Sequence, residues 1–157
     1  MEDRASALIE RGRRDAVKIG AYMASHALVP DRVVISPAAR TQETWKFTAT
    51  AFRPAPGAMT EEKLYDATPH AIFAAIKDAP ASAHTLLVIG HNPGLHEVAQ
   101  MLIASGDSEA RERLRDKLPT AGLLIIDFAI DAWSMLHPQS GRLERFVSPK
   151  SLEAATN

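Results

Sequence analysis

The stretch that decides the fold is Thr85-Leu86-Leu87-Val88-Ile89, running directly into Gly90-His91-Asn92-Pro93-Gly94-Leu95-His96-Glu97. An apolar run that short, β-branched and closed by glycine reads as a buried strand. After Pro93 the apolar residues fall at Leu95, Val98, Ala99, Leu102 and Ile103, one face of an amphipathic helix. His91 therefore stands where a strand ends and a helix begins, the edge at which open α/β sheets bind ligands. The bland alternative is a histidine hydrogen-bonded in a turn, with Asn92-Pro93 serving only to stop the strand.

The same pattern recurs upstream. Val33-Val34-Ile35 is a second short buried strand, and Pro37 suits the first turn of a following helix, with Ser36 placed to cap it. That helix is expected to run to about Phe52, where Pro54, Pro56 and Gly57 end it. Before it, Gly12 with Arg13-Arg14 leads into a helix lined by Ala16, Ile19, Gly20, Met23 and Ala27, after a segment that is polar up to Leu8. Downstream, a weak strand is expected over Thr60 to Tyr65 and a helix from Pro69 that ends by Pro80. A charged helix follows over roughly Asp107 to Lys117, then a strand over Leu123–Phe128. Trp133 to Val147 reads as a pair of strands around Gln139-Ser140-Gly141, followed by a tail.

Helices alternating with short buried strands imply an α/β layer fold with a largely parallel sheet. Such a domain normally opens with a strand of its sheet, whereas this chain opens with polar residues and a helix. At 157 residues the expectation is one domain covering 1–157, long enough to bury a sizeable core. A net charge of -1 and a pI near 6.6 leave no electrostatic footprint for nucleic acid or a membrane surface. With 0 cysteines, disulfides and thiol nucleophiles are excluded, which fits a reducing compartment. There is no apolar stretch of membrane-spanning length, and Met1-Glu2-Asp3-Arg4 lacks the order of a signal peptide, so the expected location is the cytoplasm.

Chemistry concentrates at the two strand ends. In Ser36-Pro37-Ala38-Ala39-Arg40-Thr41-Gln42-Glu43-Thr44, Arg40 falls in the first turn of its helix, beside unpaired backbone N–H groups and the positive end of the helix dipole. Such a place binds anions, and a guanidinium adds bidentate recognition of phosphate. Alone, the motif would read as a capped helix with an exposed arginine. Paired with a second strand-end motif that carries a histidine, it points to two side chains converging on one anion. His96 lies on the helix after Pro93, where a solvated or internally satisfied histidine, paired with Gln100, is the simpler account. His91, His96 and Glu97 do not have the spacing that places two metal ligands on one helix face, so no metal site is expected. His26, His70, His84 and His137 read as surface residues. Glu61, Glu62 and Asp66, flanking Leu64-Tyr65, are near enough in sequence to serve the same strand ends, although loop carboxylates are usually only solvated. There is no glycine-rich phosphate loop and no nucleophile elbow.

Taken in order, Ser36-Pro37-x-x-Arg40-Thr41-x-x-Thr44, Leu64-Tyr65-Asp66-Ala67, Val88-Ile89-Gly90-His91-Asn92-Pro93-Gly94-Leu95, Pro119-Thr120-Ala121-Gly122 and Gly141-Arg142-Leu143-Glu144-Arg145-Phe146-Val147-x-Pro149 closely resemble the SixA-type phosphohistidine phosphatases. These are a compact branch of the histidine phosphatase superfamily. The likeness runs from about Glu10-Arg11-Gly12 to the tail. It implies a phosphoglycerate mutase-like α/β fold, a three-layer sandwich with a mostly parallel central sheet. It implies hydrolysis of phosphohistidine on a protein, or of a related phosphomonoester, through a phosphohistidine enzyme intermediate and without a cofactor. The implied partner is a phosphorylated protein such as a histidine-phosphotransfer domain, or a small phosphomonoester. By position, Arg40 resembles the second pocket arginine, which binds the transferred phosphoryl group. His91 resembles the second pocket histidine, which stabilises that group's charge, and Asp66 falls where the branch often carries an acidic residue, a candidate proton donor.

One departure stands out. Family members open with a buried strand ending in an Arg-His pair that supplies the nucleophilic histidine and the first phosphate clamp, and no Arg-His dipeptide occurs in this sequence. The resemblance thus implies a chain N-terminally truncated relative to the family, through a late-assigned start or a shortened polypeptide rather than a natural pseudoenzyme. A catalytically inactive phospho-ligand-binding or regulatory member is the alternative, and a metal-dependent hydrolase built on the strand-end histidines a weaker third. The short connections Phe52 to Pro69 and Ala104 to Thr120 imply an open, shallow site.

Overall fold

A computed structural model describes residues 9–156, with side chains described as far as Glu153, so the polar segment up to Leu8 lies outside the described residues. The elements run α1 (Glu10–Ser25), β1 (Arg32–Ile35), α2 (Ala39–Thr48), β2 (Ala58–Thr60), α3 (Pro69–Lys77), β3 (Leu86–Ile89), α4 (Gly94–Leu102), β4 (Ile103–Gly106), α5 (Ser108–Asp116), β5 (Leu123–Phe128), β6 (Gly141–Val147) and α6 (Pro149–Thr156). The class is α/β with a parallel sheet, as the alternation of short apolar runs and amphipathic segments predicts.

The chain packs as two compact units. The first comprises the described residues of Met1–Asp66 together with Ala83–His91. Its three strands form a parallel sheet in the order β2-β1-β3. Val33 and Ile35 of β1 are buried, as the central position of this strand requires. Helix α1 turns Ala16, Ile19, Gly20 and Met23 inward, the stripe its periodicity predicts. Ala27 leaves that stripe, because the helix has ended and the residue has φ 57. Gly20 is where α1 meets α2, and a Cβ built there would stand 2.2 Å from the Thr48 carbonyl oxygen. Trp45 and Phe52 stack at 6.3 Å between ring centroids, closing this core.

The second unit comprises Ala67–Ser82 and Asn92–Asn157, with a sheet in the order β4-β6-β5. β6 pairs in parallel with β4 and antiparallel with β5. Its core gathers Ala99, Ile103, Ala110, Leu114, Leu118, Leu143 and Phe146. Thr68 caps α3 by accepting from the Ala71 N–H, and Asp107 caps α5 by accepting from the Ala110 N–H.

Four local expectations give way. Ile103, which fits the helical face of α4, instead opens β4, because its backbone is taken up by β6. Thr60 to Tyr65 is a strand only as far as Thr60, after which Glu62–Leu64 forms a 3-10 turn. Trp133–Met135 is likewise a 3-10 turn, leaving one strand rather than two at the end. The tail is a helix. Ser148 and Ser151 cap it reciprocally, each backbone N–H donating to the other hydroxyl, at 2.9 and 3.1 Å.

Candidate functional site

The residues singled out at the two strand ends lie in the first unit, and strand pairing sets their placement. β1 and β3 run parallel with Ile35 opposite Ile89. Ser36 N–H continues the ladder by donating to the Ile89 carbonyl at 3.0 Å. On the other side, Glu61 N–H donates to the Ile35 carbonyl at 2.8 Å. The segments that begin with Ser36, Glu61 and Gly90 therefore leave the sheet together at its carboxyl end, the position favoured for ligands in parallel sheets.

Ser36 is 0% exposed, and its hydroxyl lies 2.7 Å from Nε2 of the half-buried His91. The Ala38 N–H donates to the same oxygen at 3.3 Å. The Ser36 carbonyl accepts from Thr41 Oγ1 and from Gln42 Nε2, both at 2.9 Å, and Gln42 Nε2 also donates to Thr60 Oγ1 at 3.0 Å. This corrects the expectation that Ser36 caps the helix with Pro37 in its first turn. Helix α2 starts only at Ala39, Ala38 stands at its N-cap, and among the described residues no side chain caps it. The extended backbone of Ala38, with ψ 143, holds Ser36 one step away from the helix and leaves its hydroxyl to the histidine.

Arg40 is the second residue of α2, exposed, in the first turn as expected. Its carbonyl accepts from Thr44 Oγ1 at 2.8 Å. Tyr65 presents its ring at 77° to that of His91, with centroids 5.8 Å apart, an edge-to-face contact. The sequence offered only a weak signal for it: an aromatic residue beside the fully buried Leu64 in the Leu64-Tyr65-Asp66-Ala67 motif. Asp66 follows directly, exposed and with φ 48 in the left-handed region, which aspartate tolerates better than most residues. Among the described residues its carboxylate makes no hydrogen bond or ion pair, and the residue of this motif that touches the His91 ring is Tyr65. Glu61 is used locally, accepting from the Lys63 N–H at 3.1 Å.

The remaining histidines are accounted for. The His96 ring pairs with the Leu114 carbonyl, an internally satisfied helix histidine, while Asn92 Nδ2 donates to the Leu118 carbonyl at 2.8 Å. His26, His70, His84 and His137 are exposed. Among the described residues no group of three or more histidine, aspartate or glutamate side chains is placed to hold a metal ion, and no helix is long and apolar enough to cross a membrane.

No protein-family model matches the sequence. The uncharacterized protein ML1117 of Mycobacterium leprae is 31% identical over 144 residues, which cover 91% of this chain and 86% of that protein. The uncharacterized protein Rv1276c of Mycobacterium tuberculosis is 31% identical over 145 residues, covering 91% and 89%. Among solved structures, a chain from Nakamurella multipartitia assigned as a phosphohistidine phosphatase SixA superposes with a TM-score of 0.82 and 26% identity, over 95% of this chain and 88% of that one. This chain belongs to one family with the mycobacterial proteins, and its fold is that of the SixA-type histidine phosphatases. A chain from Agrobacterium tumefaciens, also assigned as SixA, shares the fold at a TM-score of 0.78 and 23% identity, over 95% and 87% of the two chains. A protein histidine phosphatase SixA complexed with tungstate shares it at 0.74 and 17%, over 96% and 89%.

Proposed function

We propose that this SixA-type protein acts on phosphoryl groups, with phosphohistidine on a protein as its substrate class, and that Arg40 and His91 bind the transferred group. The observation that carries this reading is the in-register pairing of Ile35 with Ile89, from which the two motifs leave the sheet side by side. The solved relatives support it, since one is named a protein histidine phosphatase and is complexed with tungstate, a tetrahedral oxyanion. Phosphoryl transfer asks a protein mainly for positioning and for charge stabilisation at the equatorial oxygens. A guanidinium at the uncapped first turn of α2 supplies paired N–H donors beside unpaired backbone N–H groups. His91, steadied by Ser36 and Tyr65, supplies an imidazole donor from the neighbouring strand end. Asp66 is the candidate to protonate a leaving group. The nucleophilic histidine of the family's Arg-His pair has no counterpart in this sequence, so the covalent intermediate is assigned to no residue here.

A second reading is a member that binds phosphorylated ligands without turnover, since no residue of the given sequence is assigned the covalent intermediate. Titration with tungstate and inorganic phosphate, alongside phosphate release from a phosphohistidine protein, separates the two. Binding is expected in either case, and Arg40→Ala and His91→Ala should each weaken it by about 2 kcal/mol, roughly thirtyfold. Release by the 157-residue polypeptide that disappears in His91→Ala would support turnover, whereas binding without release would support the second reading. The same assay on a polypeptide extended upstream in its reading frame asks whether an Arg-His pair restores release. A wild-type protein that binds neither oxyanion at millimolar concentration would sink both.

A further inference from the structure

We propose that Ser36 is the positioning residue for His91, setting both the orientation of its ring and the nitrogen that carries its proton. This rests on the reading that His91 meets the phosphoryl group, but the contact itself is a matter of geometry. Ser36 is fixed through every polar atom it has. Its N–H is bound to Ile89 and its carbonyl to Thr41 and Gln42, while its hydroxyl oxygen receives the Ala38 N–H and faces His91 Nε2 at 2.7 Å. A serine held so firmly and 0% exposed makes a rigid anchor for a half-buried imidazole.

The hydrogen-bond inventory then decides the tautomer. A hydroxyl has one hydrogen to give. If a neutral His91 donated Nε2–H to Ser36, the buried hydroxyl hydrogen would have no acceptor among the described residues, and buried donors are nearly always satisfied. If Ser36 donates to Nε2 instead, the hydroxyl hydrogen and Nε2 are both paired and the imidazole proton sits on Nδ1. Ser36 thus holds neutral His91 in the form whose Nδ1 is a donor, the polarity that an anion requires. The sequence resembled a helix cap at Ser36, and only the strand register shows that its partner is a histidine 55 positions along the chain.

Nitrogen-15 spectra of the histidine side chains, recorded at about pH 8, above the ordinary imidazole range, test this directly. Wild-type His91 should show a protonated Nδ1 and a hydrogen-bond-accepting Nε2. Ser36→Ala should move the ring away from that tautomer, and Ser36→Thr, which keeps the hydroxyl, should restore it. Inorganic phosphate affinity should fall roughly tenfold in Ser36→Ala, with no further fall when the substitution is made in a His91→Ala background. An Nε2-protonated ring in the wild type overturns the proposal, and that spectrum is decisive even if Ser36→Ala does not fold. An equal loss of affinity with and without His91 also overturns it, because Ser36 would then act through the fold alone. If the wild type binds no phosphate but Ser36→Ala still shifts the tautomer, the positioning role stands and the phosphoryl reading of the site falls.

Discussion

Ser36 and His91 meet because Ser36 follows Ile35 and His91 lies two residues beyond Ile89, the register partner of Ile35, so a short hydrogen bond joins positions far apart in sequence. Arg40 is placed by a local route, in the first turn of the helix that follows β1. A similar economy governs Gly20. Its lack of a side chain lets α1 approach the Thr48 backbone, to which an added Cβ would come within 2.2 Å, with Thr48 Oγ1 donating back to the Ala16 carbonyl at 3.3 Å. Backbone cannot swing aside as a flexible side chain does. Gly20→Ala is therefore expected to destabilise the protein by about 1–3 kcal/mol, despite the better helix propensity of alanine. Chemical denaturation would check this, and a gain in stability would show that the helices separate freely.

At the scale of elements, propensity and period go far where an element is amphipathic and capped, and fail where pairing decides. β5 matches its expected span at Leu123–Phe128, and α3 starts at Pro69 as expected, with Thr68 capping it. β4 was not legible because Ile103 continues the spacing of α4, and nothing in Ile103-Ala104-Ser105-Gly106 alternates. It is a strand only because β6 lies beside it. The helix at the tail, by contrast, has a local signal in the sequence, since Ser148-Pro149 is a cap followed by a helix-starting proline. The dependence of the second sheet on β6 yields a prediction. Leu143 is 0% exposed on the strand that joins β4 to β5, so Leu143→Ala should cost about 2–5 kcal/mol. A shift of the unfolding midpoint too small for that cost would mean the core refills the cavity.

Across the whole molecule, the supply of possible metal ligands is thin, with 0 cysteines and, among the described residues, no cluster of three carboxylate or imidazole groups. Oxyanion binding is thus expected to survive exhaustive dialysis against a chelator, as measured by tungstate titration before and after. A loss that zinc or another divalent ion restores would favour the metal-dependent hydrolase. The α/β class, the parallel pairing and the two candidate strand ends were all legible in the sequence, because buried parallel strands must be short apolar runs and helices must carry one apolar stripe. The chemical character of the candidate residues, a guanidinium at a helix start and an imidazole at a strand end, was legible for the same reason. Which side chains touch was left to the tertiary structure. That Ser36 serves His91 instead of a helix, and that Tyr65 lies edge-on to the same ring, follows from register and from where α2 begins. Those are set by pairing between distant segments, and a one-dimensional pattern does not encode such pairing in any window short enough to read.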